Sequence, residues 1–128
     1  ILIIFIFQMT INFIKAKDIN AHEVYKICNN YYQWVNKNYS LPVDEKMLFN
    51  MGKCQGMIQT LGRTMLTLCY ENKKNANINK KLTANLQGIK TIDIIEGFLN
   101  AAEKDGKLRS YSANSYLIEF ISKQWPCK

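Results

Sequence analysis

The sequence predicts an all-α fold, a small four-helix bundle stapled by two disulfides. Three observations carry this. Apolar residues recur at three-to-four spacing in four separate segments. No alternating strand pattern runs over a useful length. Four cysteines, Cys28, Cys54, Cys69 and Cys127, make an even count. A chain of 128 residues has room for one domain and one modest core. No internal repeat divides it.

Residues 1–16, ILIIFIFQMTINFIKA, read as a signal peptide. The run is apolar but short, and Gln8, Thr10 and Asn12 make it a poor bilayer span. It suits the h-region of an export signal, with Ala16 as a small residue at the cleavage point. A buried first helix or an uncleaved anchor is the competing reading. Residues 17–128 then form a single helical domain, with no stable membrane insertion after cleavage.

The first helix is expected over Ala21 to Lys37. Val24, Ile27, Cys28, Tyr31, Trp34 and Val35 share one face, and Asn20 with Glu23 forms a capping box. The loop Asn38 to Val43, with Pro42, turns the chain back. The second helix is expected over Asp44 to Cys69. Its apolar positions are Met47, Leu48, Met51, Cys54, Ile58, Leu61, Met65 and Leu68.

That helix restricts the cysteine pairing. Fifteen residues of helix separate Cys54 from Cys69 by about 22 Å, whereas a disulfide needs Cα atoms within about 7 Å. Cys54–Cys69 is thereby excluded, and Cys28–Cys127 with it. Two pairings survive: Cys28–Cys54 with Cys69–Cys127, or Cys28–Cys69 with Cys54–Cys127. A helical hairpin hinged near residue 41 sets Cys28 level with Cys54, so the first is preferred. Zinc sites usually pair ligands two to four residues apart, and no two cysteines here are closer than 15.

Residues 71–90, ENKKNANINKKLTANLQGIK, read as a long exposed loop with a helical turn near Leu82 to Leu86. A loop of this length is functional or simply solvated. A third helix is expected over Thr91 to Lys104, capped by Thr91, with Ile92, Ile95, Phe98, Leu99 and Ala102 inward and Asp93 at the positive end of the dipole. Gly97 inside it suggests a close helix contact. Asp105-Gly106 ends it. The fourth runs from Ser112 to Gln124, with Ala113, Tyr116, Leu117, Phe120 and Ile121 inward. Pro126 stops it.

Little in the sequence points to catalysis. His22 is the lone histidine, so a multi-histidine metal site is excluded. Asp44-Glu45 suits a helix start. Glu96 and Glu103 read as surface. Neither a nucleophile elbow nor a glycine-rich phosphate loop occurs. No pattern implies a cofactor or metal, and the reading is a protein that binds rather than an enzyme.

The formal charge is +7, yet only Arg63 and Arg109 are arginines among 17 basic residues. Nucleic-acid readers use arginine for bidentate contacts, so nucleic acid is not an expected partner. The 14 asparagines and the lysine excess match the bias of AT-rich coding.

The helix HEVYKIC, the helix opening CQGMIQTLG, the helix TIDIIEGFL and the end ISKQWPC together resemble the Rap/Tai-type immunity proteins of bacterial type VI secretion. The matching positions are Cys28, Cys54-Gln55-Gly56, Cys69, Asp93 with Phe98-Leu99, and Trp125-Pro126-Cys127, within residues 21–128. Met57 stands where the family has an aromatic, and Asp105-Gly106 where it has a proline. The resemblance implies a periplasmic, non-catalytic protein that occludes a cognate secreted effector, with peptidoglycan amidases as the effector class. Contacts are expected on the 71–90 segment, at Lys73, Lys74, Asn77, Lys80 and Lys81. A basic segment there would complement an acidic rim and speed encounter. The sequence also leaves a homodimer open.

Two rival readings come from other classes. One is a secreted helical carrier of a small apolar ligand, supported by abundant Met, Phe and Ile. The other is an acid-stress envelope chaperone, which would expose apolar surface at low pH.

Overall fold

The computed structural model describes residues 19–75 and 77–128. The segment read as a signal peptide, 1–16, lies outside them. Among the described residues there are four α-helices, α1 (Ala21–Asn36), α2 (Glu45–Asn75), α3 (Thr91–Glu103) and α4 (Ala113–Gln124), and one 3-10 turn, Lys80–Leu82. The protein is a small all-α bundle.

Local chemistry sets the helix starts. Asn20 Oδ1 accepts from the Glu23 N–H at 2.9 Å, and Glu23 Oε2 accepts from the Asn20 N–H at 3.3 Å. This is the expected capping box. Asp44 Oδ1 accepts from the Met47 N–H at 2.7 Å, so this carboxylate caps α2. Ser112 caps α4, accepting from the Ser115 N–H at 3.3 Å. At α3 the capping position is Lys90 rather than Thr91, and Asp93 Oδ2 accepts from the Lys90 N–H at 3.2 Å. The Asp93 carboxylate reaches that exposed N–H, and Thr91 becomes the first helical residue.

The α1–α2 hairpin turns through Asn38 and Tyr39, both left-handed at φ 49° and 61°. Left-handed tyrosine is strained. The Tyr39 N–H donates to the Trp34 carbonyl at 2.9 Å, and the two rings meet edge-on at 4.6 Å. Those contacts hold the turn. The hairpin sets Cys28 and Cys54 side by side, Cα atoms 5.2 Å apart in a disulfide. The second disulfide is Cys69–Cys127, with Cα atoms 5.7 Å apart. The preferred pairing is the one present.

Four fully buried side chains, Ile58 of α2, Phe98 of α3, and Leu117 and Ile121 of α4, fill the centre with Val24, Met65 and Ile95. Gly97 admits the Phe120 ring: a Cβ there would lie 3.1 Å from Phe120 Cζ. This is the close contact its place inside a helix suggested. Ile94 is buried where the spacing favoured Ile92, and Leu48 is 48% exposed at the hairpin end. The starts of α1 and α4 are tied together. The Ala21 N–H donates to the Tyr111 carbonyl at 3.1 Å, and the Ala113 N–H to the Ile19 carbonyl at 3.0 Å.

The segment after Cys69 differs most from expectation. Helix α2 continues six residues beyond it, to Asn75. The Glu71–Lys74 ion pair at 3.1 Å and two lysines at the negative helix end support that extension. The helical turn falls at Lys80–Leu82 rather than Leu82 to Leu86. Thr83, Ala84 and Leu86 are buried, and the chain there is a strap. The Ala84 N–H donates to the Met65 carbonyl at 3.2 Å, and the Asn85 N–H to the Trp125 carbonyl at 2.9 Å. The strap thus joins α2 to the end of α4. Gly88 completes it with φ 76°, a conformation suited to glycine.

Candidate functional site

The strap places the 3-10 turn against the outer face of α4. Between them lies an open groove of about 710 Å³. Its walls are Lys80, Lys81 and Leu82 from the turn, and Ser115, Ile118, Glu119, Ser122 and Lys123 from α4. Pro126 and Cys127 close one end. The α4 residues fall at the helical repeat that brings side chains to one face. Ala113, Leu117 and Ile121 point the other way, into the core.

Each wall is held in place. Asn79 Oδ1 accepts from the Lys81 N–H at 3.0 Å, and the Leu82 N–H donates to the Asn79 carbonyl at 2.9 Å. Thr83, the one fully buried polar side chain among the described residues, donates its hydroxyl to the Lys80 carbonyl at 2.9 Å. The turn is thereby fixed at both ends while its two ammonium groups stay exposed. The Cys69–Cys127 bridge fastens the groove's closed end to α2.

The groove is cationic above an apolar floor. Lys123 Nζ donates to Glu119 Oε1 at 2.6 Å and neutralises it. That bond holds the Glu119 carboxyl below its ordinary value and raises Lys123. Lys80 and Lys81 remain as excess charge. Leu82, 43% exposed, supplies apolar surface beside Ile118 and Pro126.

Two of the five residues expected at a partner contact, Lys80 and Lys81, line this groove. Lys73 and Lys74 are exposed in the last turn of α2, where Lys74 pairs with Glu71. Asn77 is exposed beyond it. None of these three is among the groove's lining residues. The α4 contribution was missed, although the polar positions 115, 119, 122 and 123, with Ile118 among them, are readable as the face opposite the core. Asn79 and Thr83 were missed too. The Asn79-Lys80-Lys81 run carries the usual sign of an asparagine-capped turn.

The other residues considered for chemistry take structural places. Glu96 accepts from the Tyr32 hydroxyl at 2.7 Å, joining α1 to α3. His22 lies in the first turn of α1 with its ring 6.4 Å from that of Tyr25. Among the described residues no three His, Cys, Asp or Glu side chains gather as metal ligands. No described helix is long and apolar enough to cross a membrane. Two disulfides indicate an oxidising compartment. No family model, curated protein or solved structure matches the chain.

Proposed function

We propose that this protein is a non-catalytic periplasmic immunity protein that binds a secreted toxic effector and occludes it. The observation that carries the reading is the groove between the 3-10 turn and α4. It offers an apolar floor under two lysines that have no salt bridge among the described residues, in a fold pinned by two disulfides. Rigid walls reduce the entropy lost on association, and a cationic rim accelerates encounter with an acidic partner. The cysteine order and the Trp125-Pro126-Cys127 end support the immunity-protein likeness. The effector class that likeness implies is a peptidoglycan amidase, held by occlusion of its cleft.

Phe98, Ile58, Leu117 and Ile121 occupy the bundle centre. That favours a protein acting through its surface over a carrier of an apolar ligand.

The test is protection in the cell. A candidate effector, any secreted hydrolase found on sequencing the neighbouring genes, is directed to the periplasm with and without the protein. Co-expression restores growth, and purified proteins form a complex. The double variant Lys80→Glu with Lys81→Glu loses protection and slows association at least tenfold at low salt, the order expected when steering charge is reversed. Complex formation unaffected by both reversals removes the groove from the interface. Absence of protection by the wild type, with no complex formed, ends the immunity reading.

A further inference from the structure

The Glu119–Lys123 ion pair is a shared wall. On its far side from the groove lies a second recess of about 270 Å³, built from Tyr111, Tyr116, Phe120, Asp105, Glu119 and Lys123. Its character is the opposite of the groove. Two carboxylates face one ammonium, in a protein whose overall charge is +7. The Tyr111 and Tyr116 rings stand 6.1 Å apart at 69° and form a corner, with Phe120 beside them. Burial, and then the Asp105 carboxylate facing its hydroxyl, push the Tyr116 phenol up to about 12. Tyr116 is therefore a neutral ring at ordinary pH. Asp105 Oδ1 accepts the Lys107 backbone N–H at 2.9 Å and the carboxylate also faces the Tyr116 phenol, both neutral donors, and no lysine or arginine salt bridge neutralises it among the described residues.

We propose that this recess binds an alkylammonium ion. The ring faces supply the attraction of a quadrupole for a cation, and Asp105 supplies the counter-charge. Lys123 Nζ on Glu119 is a resident cation at the mouth, so the incoming ammonium settles toward Asp105 and the two tyrosines. The volume suits a single trimethylammonium head or the end of one lysine side chain. The proposal stands apart from the immunity reading, since it concerns a different recess with a different charge.

The test is an NMR titration of the full chain with choline chloride and with dimethylbutanol, its neutral carbon isostere. N-acetyl-lysine amide provides the peptide-borne primary ammonium. Choline or the lysine amide should give saturable shifts at the Tyr111 and Tyr116 rings, in the millimolar range, with the exposed Tyr70 ring unmoved. Dimethylbutanol should give none. Asp105→Asn keeps the acceptor for the Lys107 N–H and should weaken binding about fivefold. Tyr111→Leu, at an exposed site, should weaken it similarly. Lys123→Met should strengthen it by freeing Glu119. Tighter binding of the lysine amide assigns the recess to a side chain of a protein partner, and tighter binding of choline to a small quaternary amine. Equal response to choline and its isostere, or binding untouched by both Asp105→Asn and Tyr111→Leu, overturns the proposal.

Discussion

Cys127 joins Cys69 across 5.7 Å between Cα atoms, and it leaves its own side of the bridge half-buried while Cys69 is almost wholly enclosed. The other bridge has no such opening, because Cys28 and Cys54 are both fully buried between α1 and α2. Thiol–disulfide exchange requires a thiolate to reach a sulfur. Under limiting dithiothreitol Cys69 and Cys127 should therefore become alkylatable first. Peptide mass mapping at intermediate times reads the order, and earlier labelling of Cys28 and Cys54 contradicts it.

The same bridge closes the longer loop, with a sequence separation of 58 against 26 for Cys28–Cys54. The chain-entropy model assigns it roughly 4 kcal/mol and the shorter loop roughly 3.5 kcal/mol. Paired serine substitutions at Cys69 and Cys127 should lower the urea midpoint at least as much as the corresponding pair at Cys28 and Cys54. Circular dichroism during denaturation measures both.

Phe98 is fully buried and meets the rings of Tyr116 at 5.9 Å and Phe120 at 6.3 Å. Truncation removes apolar burial, two edge-on contacts and the filling of the α3–α4 seam. Phe98→Ala should cost about 3–5 kcal/mol. Phe98→Leu should cost less, since it leaves a smaller cavity. Urea unfolding of the two variants orders them, and equal losses would show that the seam collapses to fill the gap.

Alkaline pH should expose the Tyr116 environment. Its phenol is held up to about 12, from an ordinary value of 10.0, by burial and then by Asp105. Between those values the unfolded chain releases a proton that the fold retains. The contribution is therefore complete below pH 10 and lost as pH rises toward 12. Tyr31, raised by burial, and Tyr32, raised by its bond to Glu96, act in the same direction. Tyr116→Phe should flatten the fall in stability above pH 10. An absorbance titration of phenolate should lose its highest-pH step in that variant.

The helices were legible because each carries its own period. Val24 and Cys28, or Leu117 and Ile121, sit one turn apart, and a side chain's face follows from sequence alone. The pairing of Cys28 with Cys54 followed from the same spacing plus one tight turn. The strap was not legible. Thr83, Ala84 and Leu86 are buried by a non-local arrangement, with backbone bonds to Met65 and Trp125. A segment rich in Asn and Lys gives no period from which such burial can be read. The groove inherits that difficulty. Lys80 and Lys81 could be named from charge, but their meeting with Ile118 and Glu119 depends on where the strap lies.

Thr83 is where that placement can be tested. Its hydroxyl donates to the Lys80 carbonyl at 2.9 Å, and its N–H reaches the same oxygen at 3.2 Å. Thr83→Val keeps the shape and deletes only the hydroxyl. The carbonyl retains one donor, so the cost should be about 1 kcal/mol rather than the larger penalty of an orphaned group. The Lys80–Leu82 turn should loosen, seen as faster amide exchange at Leu82, whose N–H donates to the Asn79 carbonyl at 2.9 Å. Thr83→Ser retains the bond and loses a buried methyl, so it should lower stability while leaving exchange at Leu82 near wild type. If serine and valine accelerate that exchange equally, the turn is held by packing, and the hydroxyl has no part in presenting Lys80 and Lys81.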